Sequence, residues 1–248
     1  MRMTGTSEAG IEGVETGDDA AVVPHGEVKV NVDTVLLTLK DDRLQVALAP
    51  REAPFLRGRL ALVGAIMDGN RDADLESVVR RSLADKIGLA SVYFEQLYTF
   101  SGRSTASGRQ RDSRWPSISV AYIALVPHSR LERGTPADKG VVLVPVDELP
   151  ELPFDHNEIV GTAVARLRGK GAWSVLPAHL LEEEFTIPDM ERVYSKVVGT
   201  SSMGQNFRRK VFDSDILEPV GKKAVPGTAR PPQHYRLKPG VVTVDKRL

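Results

Sequence analysis

Between Leu60 and Leu89 the chain passes from a short apolar run, through a polar loop, into a stretch that can bury only one side. Leu75, Val78, Val79, Leu83 and Ile87 recur at helical spacing, which predicts an amphipathic helix with Asp72 or Asp74 as N-cap and Gly88 as C-cap. A one-sided helix needs a sheet to cover, and the flanking sequence supplies one. Val28 to Leu39 and Leu44 to Ala49 are β-rich runs joined by the polar turn Lys40-Asp41-Asp42-Arg43, the pattern of a hairpin. Leu60 to Val63, Val92 to Phe100, Ser117 to Val126 and Val141 to Pro145 read as further strands, with a Ser/Gly/Arg-rich loop from Ser101 to Trp115. Mixed strands around one clear helix predict an α+β domain over residues 28–150.

Paired prolines in Glu148-Leu149-Pro150-Glu151-Leu152-Pro153 break regular structure, and the pattern beyond them is helical. Asp155-His156-Asn157-Glu158 has capping-box spacing and opens a helix to about Arg168, closed by Gly169. A short helix over Pro177 to Leu181 and a longer one over Pro188 to Val198 follow, the latter ended by Gly199. Ser202-Met203-Gly204-Gln205 is a second capping-box pattern, starting a helix through Val211. Two helices joined by a tight glycine-containing turn form a helix-turn-helix pattern. Ile216 to Val220 and Gln233 to Leu237 then pair as a hairpin, so residues 155–248 are expected to form a winged helix-turn-helix domain.

The 248-residue chain carries 33 basic and 33 acidic residues, and this balance hides an asymmetry. Residues up to His156 hold 18 Lys/Arg against 23 Asp/Glu, a net −5, whereas Asn157 onward holds 15 against 10, a net +5. From Ser201 onward the count is ten basic to four acidic. Nucleic acid is held chiefly through its phosphates, so this basic end is a candidate DNA-binding surface. On the Ser202 to Val211 helix Met203, Phe207 and Val211 should face inward. Ser202, Gln205, Asn206, Arg208, Arg209 and Lys210 are then presented to base edges or phosphates. Lys222, Lys223 and Arg230 at the hairpin tip, with His234, are candidate wing contacts.

Other classes are narrowed by composition. There is no cysteine, which removes disulfides, thiolate zinc sites and a cysteine nucleophile, and fits a cytoplasmic location. The histidines His25, His128, His156, His179 and His234 share no metal-ligand spacing and receive no catalytic role. Residues 1–27, rich in Gly, Thr, Ser, Glu and Asp, are expected to be a disordered leader. No apolar run is long enough to span a membrane.

Leu62-Val63-Gly64-Ala65-Ile66-Met67-Asp68, Leu75-Glu76 and Arg81-Ser82-Leu83-Ala84-Asp85-Lys86-Ile87-Gly88-Leu89 resemble the Nudix signature. Arg81, Leu83, Gly88 and Leu89 occupy its framework positions. Such enzymes cluster carboxylates on one helical turn to hold Mg²⁺ against a diphosphate. Here the upstream Glu slot is Ala73, the Glu after Arg81 is Ser82, and the Glu pair is Asp85-Lys86. The loop departs too, with seven residues rather than five between Ala65 and Ala73. No metal site and no catalytic residue are expected.

A defective Nudix domain followed by a winged helix-turn-helix resembles the Nudix-related transcriptional regulators of NAD metabolism, the NrtR family. The most telling stretches are Pro54-Phe55 through Met67, Gly88-Leu89 with Val92 to Phe100, Phe154-Asp155-His156-Asn157-Glu158-Ile159, and Asn206-Phe207-Arg208-Arg209-Lys210. The resemblance implies a homodimeric repressor of NAD biosynthesis or salvage genes. It implies too that operator DNA is released on binding ADP-ribose or a related metabolite, with no other cofactor. Arg51, Phe55, Arg57 and Arg59 are candidate ligand contacts. The family's usual Trp, Pro and Gly are replaced by Leu60, Val63 and Ala65, positions expected near the ligand pocket. The alternative reading is an active Nudix nucleoside diphosphate (ADP-ribose) hydrolase with a divergent metal site.

Overall fold

The computed structural model describes residues 26–89, 91–102, 112, 114–171, 174–223 and 230–241. The expected leader, apart from Gly26 and Glu27, and the tip of the basic hairpin at 224–229 lie outside the described residues. Strands β1 (Lys29–Lys40) and β2 (Arg43–Pro50) form the expected hairpin. Asp41 and Asp42 both take positive φ at its two-residue turn, the backbone geometry that matches the twist of paired strands. Strands β3 (Leu60–Ala61), β4 (Val63–Ile66), β5 (Tyr93–Phe100), β6 (Ser117–Leu125) and β7 (Val142–Pro145) complete a seven-stranded mixed sheet.

The central strand β1 runs parallel to β6 along one edge and shares its other edge between two partners. Its second half pairs with β2 and its first half with β4. The single strand expected over Leu60 to Val63 is therefore divided: Leu60 and Ala61 pair with β2, Val63 to Ile66 pair with β1, and Leu62 lies at the changeover.

Alternation along β1 sends Val32 and Leu36 to one face and Val35 and Leu37 to the other. The first face is covered by α1 (Leu75–Ile87), which buries Val78, Val79, Leu83 and Ile87 against Val32, Leu36 and Ala47. Its N-cap is Asp74, which accepts from the Ser77 N–H at 2.7 Å, while Asp72 has another role described below. A short helix not anticipated from the sequence, α2 (His128–Gly134), adds buried Leu131 to the same cluster. With seven residues it is too short for a periodic signal.

The opposite face is covered by α3 (His156–Gly171), through Ile159, Val160, Ala163 and Leu167. This helix continues past Gly169, where the sequence suggested an end. A 3₁₀ turn at Leu176–Leu180, α4 (Ile187–Val198) and α5 (Phe207–Asp213) extend the same apolar cluster, so sheet and helix-turn-helix share one core. Thr186 and Asp189 form a reciprocal cap at the start of α4. Buried Tyr194 packs its ring, tilted, against Phe207 and donates its hydroxyl to the Ser174 carbonyl at 3.1 Å.

The helix expected from Ser202 starts later, at Phe207. Ser202 does not cap it: its hydroxyl donates to Glu191 and accepts from the Gly204 N–H in a turn where Gly204 has φ 83°. Strands β8 (Leu217–Lys222) and β9 (Gln233–Leu237) form the wing, tied to the entry of α4 by a bridge between Phe185 and Tyr235. No helix among the described residues is long and apolar enough to cross a membrane.

Two glycines in helices should respond to alanine with opposite sign. Gly88 closes α1 at φ 81°, and a Cβ there would lie 2.3 Å from the Gly134 carbonyl oxygen. Gly161 lies within α3 with open space around it. Gly88→Ala should destabilise by about 2 kcal/mol or more, and Gly161→Ala should stabilise by roughly 0.5–1 kcal/mol in urea denaturation.

Candidate ligand pocket and nucleic-acid interface

A cavity of about 370 Å³ opens where β1, β4 and β6 meet the loop after β2 and the first residues of α3. That volume suits a small-molecule ligand. Asp33 stands on its floor, accepting a hydrogen bond from Ser119, with His156 Nε2 3.7 Å from its other oxygen. The opposite ring atom, His156 Nδ1, accepts from the Leu62 N–H at 3.1 Å. The peptide left without a strand partner at the sheet changeover is thus satisfied by a histidine from α3. Burial lowers the His156 pKa, and an Nδ1 that accepts from Leu62 leaves Nε2 as the ring nitrogen to carry a proton on the side of Asp33.

Gly64 brings its backbone against the floor: a Cβ would sit 2.4 Å from the Val32 carbonyl oxygen and 2.6 Å from Asp33 Oδ1. Into this space α1 sends Lys86, whose Nζ donates to the Gly64 carbonyl at 2.5 Å. Burial lowers the Lys86 pKa, with the charge of Asp33 acting in the other direction. Ser82, one turn earlier, is buried and donates to the Val79 carbonyl, and Asp85 is exposed outside the pocket wall. Among the described residues no cluster of three or more His, Asp or Glu side chains could hold a metal.

The mouth alternates cations with rings. The Arg51 guanidinium lies 4.9 Å from the centroid of Phe154, and that of Arg114 lies 4.7 Å from Phe55 and 4.1 Å from Trp115. Arg114 also donates to both carboxylate oxygens of Asp112. Burial opposes ionisation of Asp112, but the side-chain and backbone hydrogen bonds from Arg114 prevail and lower its pKa. Flat aromatic surfaces beside guanidinium groups can hold a base by stacking and phosphate by charge-assisted hydrogen bonds.

Of the four residues singled out for ligand contact, Arg51 lines the cavity and Phe55 stands beside it against Arg114. Arg57 and Arg59 are outside the wall, donating to the Glu52 and Glu151 carbonyls. Leu60 and Val63 likewise pack into the core, leaving Ala65, on β4, as the substituted position that faces the cavity. Sequence reasoning missed Asp33, Asp112, Arg114, Phe154 and His156 as wall residues. An acid within an apolar strand was the available signal for Asp33.

The framework arginine is held by an acid from the preceding loop. Arg81 Nε and a terminal nitrogen donate to the two oxygens of Asp72 at 2.7 and 2.6 Å, and Asp72 also accepts from the Asp68 N–H. Asp72 thereby locks the longer loop onto α1 although the expected slot is Ala73.

At the other end of the molecule Gln205 and Asn206 are exposed in the turn before α5. Arg208, Arg209 and Lys210 are exposed on the helix, and Phe207 and Val211 are buried beneath them. Met203 packs partly buried against the same core. On the wing Lys222 and Arg230 are exposed, Lys223 is engaged by Glu184, and His234 Nδ1 lies 3.2 Å from the Pro232 carbonyl oxygen.

A mixed sheet carrying a Nudix-like helix and pocket, with a winged helix seated on its other face, defines a Nudix-related winged-helix protein. Residues 177–237 match the NrtR DNA-binding winged helix domain. The crystal structure of Shewanella oneidensis NrtR complexed with a 27mer DNA is 33% identical, with a TM-score of 0.77 over 86% of this chain and 95% of that one. The chain belongs to the NrtR family. It is also 27% identical to the ADPR responsive transcriptional repressor NtrR of Acinetobacter baylyi, over 84% of this chain and 81% of that protein. A MutT/nudix family protein from Enterococcus faecalis, 22% identical with a TM-score of 0.63, covers 88% of this chain and 89% of its own and shares the fold.

The hydrogen bonds from Arg81 hold the Asp72 carboxyl at about 2, below its ordinary 3.8. A carboxylate depressed in the folded state stabilises above its ordinary pKa and loses that contribution as pH falls toward the folded value. Thermal melts of Asp72→Asn should therefore lie below wild type at neutral pH, with the gap closing between about pH 4 and pH 2. A gap constant across that window would rule out the ion pair as its source.

Proposed function

We propose that this protein is a DNA-binding transcriptional repressor of NAD biosynthesis or salvage genes. In this reading its Nudix-type domain is catalytically inactive and senses ADP-ribose or a related metabolite. The observation that carries the reading is the seating of His156: one residue lines the pocket, closes the sheet at Leu62 and begins the helix that packs under the DNA-binding module. Residues 28–150 form the sensing part and 155–248 the DNA-binding part, with α3 common to the packing of both.

Two copies in a homodimer would present α5 to successive major grooves of a palindromic operator. Arg208, Arg209, Lys210, Gln205 and Asn206 face the DNA, while Ser202, Lys222, Lys223, Arg230 and His234 contact its backbone. Ligand binding in the pocket favours a setting of Phe154 to His156, and hence of α3, that moves the two modules off the operator spacing. A hydrolase would need the α1 turn to hold a metal, and its remaining acid, Asp85, is exposed outside the pocket wall.

Gel-shift titrations with promoter fragments of NAD genes test the DNA half. Arg208→Ala with Arg209→Ala should weaken operator binding by at least about tenfold and reduce the salt slope by about two. Wild-type protein that prefers none of these promoters over random DNA would sink the reading. His156→Gln tests the coupling: operator affinity should persist while the ADP-ribose concentration needed for release rises about fivefold or more. Unchanged release by this variant would remove His156 from the route.

A further inference from the structure

A diphosphate brings two negative charges close together, and a pocket that holds it must neutralise them. Nudix chemistry does this with Mg²⁺ on clustered carboxylates of the α1 turn. The residues here do not fit that ion. Ser82 is turned to the Val79 carbonyl, Asp85 is exposed, and Lys86 brings its own positive charge into the cavity.

Lys86 is placed to take over the ion's electrostatic task. Among the described residues its hydrogen-bond partner is the Gly64 carbonyl, a neutral group. An ammonium has three donors, so this contact leaves two for a ligand. Of the acids nearby, Asp33 accepts from Ser119 and faces His156, Asp112 is bonded by Arg114, and Glu52 on the cavity wall adds a negative charge that acts on Lys86 without a hydrogen bond to it. Burial disfavours the charged form of Lys86, and a bound phosphate would favour it.

We propose that Lys86 replaces the divalent cation, so that this pocket holds the diphosphate of a nucleoside diphosphate such as ADP-ribose without Mg²⁺. The proposal rests on the sensing function proposed above and adds how the ligand's charge is met. Arg51 and Arg114 at the mouth supply further donors, and the neighbouring rings accommodate the base. A fixed ammonium pairs with phosphate without activating a water for attack, so binding is separated from cleavage.

Isothermal titration of the full chain with ADP-ribose in EDTA, repeated in excess Mg²⁺, tests this directly. Wild-type protein should bind with the same dissociation constant in both buffers. Lys86→Met should weaken binding about tenfold or more in both, and Lys86→Arg should recover part of the loss. Wild-type binding that requires Mg²⁺ would overturn the role of Lys86 and leave the sensing function standing. So would a folded Lys86→Met variant with wild-type affinity. Absence of binding in either buffer would overturn both the sensing function and the proposal. The comparison of buffers uses wild-type protein alone and does not depend on how the variants fold.

Discussion

The central strand β1 shares one edge between β2 and β4, and the chain that crosses from one partner to the other must leave a peptide unpaired at Leu62. A buried N–H without a partner costs about 1–3 kcal/mol, and here it is met by His156 from the first turn of α3. Much of the molecule's organisation follows from that contact. It pins α3 against the sheet, places an imidazole beside Asp33, and joins the pocket floor to the helix beneath the DNA-binding module. A change at the floor is thus a change at the root of α3.

The helix α1 has two electrostatic faces with different purposes. Toward the loop, Arg81 and Asp72 form a bidentate pair that holds the longer loop against the helix. Toward the pocket, Lys86 stands against the Gly64 carbonyl, which the missing Cβ of Gly64 allows to lie close to Asp33. Ser82 and Lys86 stand on this turn at positions where a Nudix helix carries glutamates.

The surface proposed to face DNA depends on the same core. Phe207 and Val211 bury α5 against Tyr194 and the apolar cluster that reaches the sheet, which leaves Arg208 and Arg209 no route but outward. The turn before it is opened by Gly204 and held by Ser202 against Glu191. The wing is tied back through Tyr235 and Phe185. Sensing and DNA-binding parts are thus continuous in their packing even though their charges are opposite.

Local patterning was enough to read the hairpin at Asp41-Asp42, the helix from Leu75 to Ile87 and the winged end. Each of these is written in neighbouring residues, through turn chemistry or helical spacing. The split of Leu60 to Ile66 between two partners was not legible, because strand pairing is chosen by distant residues. The same limit applied to Asp72, whose two neighbours at a helix start made it look like a cap until Arg81 was seen to claim it. The start of α5 at Phe207, not Ser202, was decided by a glycine turn and a contact to α4. Above all the pocket was a tertiary product. Asp33, Lys86, Arg114 and His156 come from four separated segments, and only the closing of β1 against β4, β6 and α3 brings them together. Sequence alone placed Ser82 and Lys86 in slots where a Nudix helix carries glutamates, whereas the fold decided that Lys86 enters the pocket and that His156 links it to the helices beyond.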